Sequence, residues 1–87
     1  MDHHKVQEHR PGLPYPRYLI DQVSRVLIDQ MQNGGLSVEL TAPALGSVAV
    51  TVTTEDGSTH VEQGRPEDLE QVIRAAAKRC GFDLDDV

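Results

Sequence analysis

Aromatic side chains are scarce in this chain: it has no Trp, one Phe (Phe82) and two Tyr (Tyr15 and Tyr18). A core in 87 residues must therefore be assembled from Val, Leu, Ile and Ala. A chain this short buries a smaller share of its surface than a large one, so stability should be modest and self-association a natural supplement. The single Cys80 excludes an internal disulfide, so nothing marks a stapled secreted domain, and a reducing cytoplasm is expected. Also absent are a charged-then-apolar leader and an apolar run long enough to span a bilayer, so a soluble chain without membrane contact is expected.

Basic residues are missing from one stretch in particular. The formal net charge is −6. From Met1 to Gly35 the charges balance, but from Leu36 to Gly64 every charged residue is acidic: Glu39, Glu55, Asp56 and Glu62. Phosphate backbones are held by clustered Lys and Arg, which makes this stretch a poor nucleic-acid surface and a better match for a basic protein. The remainder mixes signs and ends in Asp83, Asp85 and Asp86, which lack the glycine and distal Glu of a calcium loop.

Gly46 to Gln63, GSVAVTVTTEDGSTHVEQ, carries the clearest pattern: two alternating runs rich in β-branched residues, joined by Asp56-Gly57. This predicts a β-hairpin, with Asp-Gly as a two-residue type I′ loop. In that register Thr53 faces His60, Val52 faces Val61 and Thr51 faces Glu62, with Val48, Val50, Val52 and Val61 toward the core. Leu36 to Ala42 alternates in the same way and predicts a half-buried strand stopped by Pro43.

Pro16 suits the first position of a helix running to about Gln32, with Leu19, Ile20, Val23, Val26, Leu27 and Met31 on one face. Asn33-Gly34-Gly35 should end it, Gly34 taking the left-handed conformation. A second helix opens at Pro66 with Glu67, Asp68 and Glu70 complementing its dipole. It carries Leu69, Val72, Ile73, Ala76 and Cys80 as a stripe and closes at Gly81-Phe82 in a Schellman motif. Leu84 could fold the tail back onto the body.

The expected architecture is therefore α+β: a two-layer α-β-β-β-α domain over residues 16–87, with a three-stranded antiparallel sheet and two helices packed on one face. Residues 1–15 are expected to form a flexible, Pro-containing N-terminal arm. Pro11-Gly-Leu-Pro14 within it matches the short and common PxxP pattern.

This element order resembles that of the double-stranded-RNA-binding domain in topology alone. Such domains grip phosphates with lysines at the start of the second helix and reach a minor groove through the loop between the first two strands. Here those places hold Arg65-Pro66-Glu67-Asp68-Leu69-Glu70 and a loop, Ala42 to Gly46, with no basic or hydrogen-bonding side chain. An RNA- or ribosome-associated reading would have to rest on Arg10, Arg17 and Arg25.

Catalytic and metal signatures do not assemble. His3, His4 and His9 lie in the polar tail, where Met1-Asp2-His3 could wrap Cu(II) or Ni(II) only if the amino terminus is free. His60 and Glu62 share a strand face but lie two residues apart on an open surface with no orienting third group. Cys80 falls on a buried helical stripe, where a thiol behaves as a small apolar group. The expectation is no enzyme, no cofactor and no metal site.

What remains is binding through a face and an edge. The face away from the helices should present Ser37, Glu39, Thr41, Ala49, Thr51, Thr53, His60 and Glu62. The candidate partner-binding set is Glu39, Thr41, Thr51, Thr53, Glu55, Asp56, His60 and Glu62, an acidic, Thr-rich surface suited to a larger protein with a basic patch. The strand from Leu36 to Ala42 carries one charge and is the favoured edge for pairing with a partner strand or a second copy, unless the N-terminal arm covers it. The sequence thus points to a small acidic cytoplasmic interaction module, an adaptor, modulator or inhibitor of a larger complex, with nucleic-acid handling among that complex's candidate roles.

Overall fold

The computed structural model describes residues 13–85. Leu13–Pro14 form a short strand, β1. Tyr15 then donates its N–H to the Leu40 carbonyl at 3.0 Å, and Pro16, which has no N–H, ends the pairing. A 3₁₀ turn over Arg17–Leu19 follows. Helix α1, Gln22–Asn33, begins only after it, so the helix expected from Pro16 starts six residues later. The reason is a cap. The Asp21 carboxylate accepts from the Ser24 N–H at 2.8 Å and the Ser24 hydroxyl at 3.0 Å, satisfying the first turn of α1 and separating it from the Pro16 turn.

At the far end of α1 the Leu36 N–H reaches the Met31 carbonyl and the Gly35 N–H reaches Gln32, the two bonds of a Schellman motif. Gly35 takes the left-handed conformation, φ +94°, and Gly34 stays at φ −86°. Gly34 serves another need: a Cβ there would strike the Phe82 ring. The left-handed position is therefore one residue later than the sequence suggested.

Strands β2 (Ser37–Ala42), β3 (Val48–Thr53) and β4 (Thr59–Gly64) complete one antiparallel sheet in the order β1-β2-β3-β4. The α+β architecture stands, but the sheet has four strands rather than three. The fourth comes from the arm: Leu13 pairs with Ala42, and Pro14 with Thr41. Since Leu13 and Tyr15 turn their amides toward β2, the nitrogens of Pro14 and Pro16 fall on the outer side, where a missing donor costs nothing.

The β3–β4 hairpin differs from expectation in one residue, and the difference matters. The Thr54 N–H donates to the Ser58 carbonyl at 2.8 Å and the Gly57 N–H to the Thr54 carbonyl at 2.9 Å. Gly57 has φ +92° and, among the described residues, no non-glycine residue has positive φ. A type I′ turn would need positive φ at Asp56 as well; the loop is instead the three-residue Glu55-Asp56-Gly57, a type I turn followed by a left-handed glycine. Thr53 consequently faces Thr59, Val52 faces His60, Thr51 faces Val61 and Val50 faces Glu62. A shift of one residue exchanges the faces of a strand. Val61 points to the open side and is 44 % exposed, while His60 and Glu62 join Val48, Val50 and Val52 on the helix side.

A second 3₁₀ turn, Pro66–Asp68, leads into α2, Leu69–Arg79. Its ending matches the expected motif: Phe82 donates to the Ala77 carbonyl, Gly81 to Lys78, and Gly81 has φ +74°. Leu84 packs against the core, and Gln30 Oε1 accepts the Asp85 N–H at 2.8 Å. Leu27 and Met31 of α1, Val48, Val50 and Val52 of β3, and Leu69, Ile73 and Ala76 of α2 form the centre of the core. Each of the larger ones contributes about 1.5–3 kcal/mol on burial. Gly64 lets α2 approach, since a Cβ there would meet Val72 Cγ2 at 2.6 Å.

The hairpin register has a direct test. With Cys80 replaced by Ala, the pair Thr53→Cys/Thr59→Cys should close an intramolecular disulfide under mild oxidation, because these residues oppose each other on one face at a closely spaced, non-hydrogen-bonded position. The pair Thr53→Cys/His60→Cys should not close. Disulfide formation in the second pair alone would restore the two-residue loop.

Candidate functional site

The residues proposed as one acidic surface occupy three places. Glu39, Thr41, Thr51 and Thr53 do lie on the open sheet face, as expected. Beside them are Thr59, Val61 and Gln63, which the shifted register brings there. Thr41 is only 5 % exposed, held in a row with Pro14, Ala49 and Gln63 across the four strands. Glu62 lies on the opposite face, where its Oε2 accepts from Arg79 Nη1 at 2.8 Å, and His60 shares that face. Glu55 and Asp56 sit in the hairpin loop. The open face is therefore Thr-rich and carries a single negative charge, Glu39, among the described residues.

Asp56 serves its own turn. Its carboxylate accepts from the Thr54 hydroxyl and from the Ser58 N–H. These bonds lower its pKa to about 2, the Thr54 hydroxyl contributing most. Cys80 moves the other way: partial burial raises its pKa, against a smaller opposing effect of Arg79, which keeps the thiol protonated and weakly nucleophilic.

The feature with the most organised chemistry runs along β2, on the side where β1 stops. A groove of about 400 Å³ lies between β2 and α1. Its floor is aliphatic, from the partly buried Ile20, Ile28, Val38 and Leu40. Tyr15, Arg17 and Arg25 stand around one end; Asp29 and Gln32 come one and two turns later along α1. The groove exists because Pro16 turns the chain out of the sheet and Asp21 starts α1 afresh, leaving the first half of β2 without a neighbour. In β2, Ser37, Glu39 and Thr41 bond toward β3, since Val48, Val50 and Val52 of β3 bond toward β4 in step with the Thr54–Ser58 pair. Val38 and Leu40 accordingly turn outward. The Leu40 carbonyl is taken by Tyr15; the N–H and C=O of Val38 face the groove with no strand opposite them among the described residues.

Arg25 braces the end of this groove. Its Nε donates to the Ile20 carbonyl at 3.1 Å and its Nη2 to the Arg17 carbonyl at 2.8 Å, tying α1 to the 3₁₀ turn. A guanidinium has five N–H donors, so these two bonds leave three for other acceptors. Sequence reasoning singled out Arg17 and Arg25 as basic and β2 as an edge, but separately. Their convergence depends on the break between the 3₁₀ turn and α1, for which Asp21-x-x-Ser24 was the available signal. Arg10, the third arginine of that set, lies outside the described residues, as do His3, His4, His9 and Pro11.

Other features are less specific. The outer side of β4 turns the backbone groups of Thr59, Val61 and Gln63 away from β3. An apolar hollow of about 520 Å³ near Leu13, Leu19 and Leu45 has no charged side chain in its lining. Among the described residues no group of three or more His, Cys, Asp or Glu is placed to hold a metal ion, and no helix is long and apolar enough to cross a membrane. Comparison of the chain with protein-family models, curated proteins and solved structures finds no match in any of the three.

The Asp56 shift fixes a pH dependence. A carboxylate whose pKa is depressed on folding stabilises the fold above its unfolded value, near 4. That contribution is lost as pH falls through about 2. Acid unfolding of the native chain, followed by circular dichroism, should therefore include a component between about pH 4 and 2 that is absent from Asp56→Ala; identical acid limbs for the two proteins would contradict the assignment.

Proposed function

We propose that this chain is a small, non-enzymatic protein-interaction module that binds and modulates a larger protein, as adaptor or inhibitor, and that it binds by adding a strand of that partner to the open part of β2. The observation that carries the reading is the outward-facing backbone of Val38 beside a groove with an aliphatic floor and charged ends. Main-chain bonds to such an edge supply affinity, and pockets for alternate side chains supply specificity.

The basic partner surface expected from sequence is replaced in this reading by an extended segment, because Glu39, Glu55, Asp56 and Glu62 do not share a face. Arg65, Arg74 and Arg79 are paired with Glu67, Glu70 and Glu62, and the start of α2 carries Glu67, Asp68 and Glu70, where duplex-RNA-binding domains place phosphate-gripping lysines. The binding of duplex RNA is accordingly the competing outcome of the test rather than a second proposal.

The test is affinity capture of partners from lysate, with and without nuclease, by the native chain and by Val38→Pro and Val61→Pro. Proline at either position removes an N–H that points out of the sheet, so the ladder between β2, β3 and β4 is kept. A nuclease-resistant protein lost with Val38→Pro and retained with Val61→Pro is expected. Capture lost with Val61→Pro alone would move the site to β4, and capture abolished by nuclease would replace the proposal with nucleic-acid association.

A further inference from the structure

We propose that the groove receives the C-terminal end of a partner protein: its last few residues add as a strand parallel to β2, and the terminal carboxylate is held by Arg17 and Arg25. This rests on the strand-addition reading above and specifies the segment that is bound.

The first argument is the length of open edge. Beyond Val38 the outward side of β2 is occupied, with Tyr15 on the Leu40 carbonyl and Pro14 and Leu13 opposite Thr41 and Ala42. An added strand therefore meets a closed end formed by the chain's own β1 and the turn at Pro16. A segment running parallel to β2 arrives there with its C-terminal end. A chain that stops fits; a chain that continues must bend sharply away.

The second argument is the charge along the groove. The chain reverses at Gly34-Gly35, so α1 runs back alongside β2, placing Arg25 toward the Leu40 end and Asp29 and Gln32 toward the start of the strand. Arg17 joins Arg25 at the closed end. Positive charge thus stands where a parallel strand would place its carboxylate. The three Arg25 donors without a partner among the described residues offer the planar fork that a carboxylate accepts in bidentate fashion. An antiparallel strand would bring its carboxylate end toward Asp29, against like charge.

The third argument is the floor. Ile20, Ile28, Val38 and Leu40 are aliphatic, and Glu39, which also lines the groove, belongs to the opposite face of β2, so the side chains directed inward from the added strand are Val, Ile or Leu. Because inward positions alternate, these are the terminal residue and the one two before it. Lys or Arg further upstream would lie near Asp29 and Glu39, which favours a basic approach segment.

The probe is a pool of randomised, N-acetylated octapeptides, offered to the immobilised full chain once with free C-terminal carboxylates and once amidated, with retained peptides read by mass spectrometry. Free-carboxylate peptides ending in an aliphatic residue should be enriched. Amidation, and separately Arg17→Gln, should each reduce retention about tenfold, the scale of losing one charge-assisted interaction. Arg17→Gln is the informative variant because Arg17 serves the fold through its carbonyl, not its side chain; Arg25→Lys, keeping the charge and losing the fork, should fall between it and the native chain. Val38→Pro should abolish retention. Equal retention of free and amidated peptides that is still lost with Val38→Pro would overturn the chain-end inference and leave strand addition standing. Retention indifferent to Val38→Pro would overturn both. No retained peptide in either pool would overturn the chain-end inference, with lysate capture by the proline variants deciding the broader reading independently.

Discussion

The Asp56 carboxylate, accepting from Thr54 on one side of the loop and Ser58 on the other, holds the sheet in its register. Because it closes a loop of three residues, β4 enters the sheet with His60, Glu62 and Gly64 turned toward the helices. Everything on that side follows. Glu62 meets Arg79 at the rim of α2 instead of standing on an open surface. Gly64 lies under Val72, where any side chain would lift the helix. On the other side Val61 joins a row of threonines, and the open face keeps one charge, Glu39. A loop shorter by one residue would bury Val61 and move Glu62 to the open face, a different surface on the same backbone.

A second constraint acts at the other edge. Two prolines spaced by one residue, Pro14 and Pro16, let Tyr15 join the sheet while denying outward donors to any strand that would stack beyond β1. The chain then leaves the sheet, and Asp21 caps a new helix before it can return to β2. The blunted stretch and the open stretch are therefore adjacent. The bracing of the 3₁₀ turn by Arg25 gives the open stretch a defined end with a surplus of donors, so the edge is short, polar at both ends and apolar between. Such an edge favours selective pairing over the indiscriminate pairing of a long flat strand.

The two helices are joined to the sheet by the same device. Both end in a Schellman motif whose following residue, Leu36 or Phe82, packs inward. The two endings also touch, since the Phe82 ring lies against Gly34. The C-terminal residues thus lock α1 to α2, and the Gln30–Asp85 bonds extend that contact by one turn.

Periodicity in the sequence by itself determined the two helices, the three main strands, the valines of β3 as core and the closing of α2 at Gly81-Phe82. In each case the signal is local, a repeat of two or 3.6 or a cap within a few residues, and local energy suffices. The hairpin's loop length was not legible, because Asp-Gly serves a two-residue and a three-residue loop equally well and Val48, Val50 and Val52 are buried in either; the choice turns on the Asp56 bonds within the loop and on Glu62 rather than Val61 standing on the helix side, at Arg79. The fourth strand was not legible either: two residues carry no period, and Leu13–Pro14 pair only because β2 offers an edge. The groove was decided last of all, by tertiary structure alone, since it is a gap between elements, and the placing of Arg17 and Arg25 against Val38 requires that Pro16, Asp21 and the reversal at Gly35 act together.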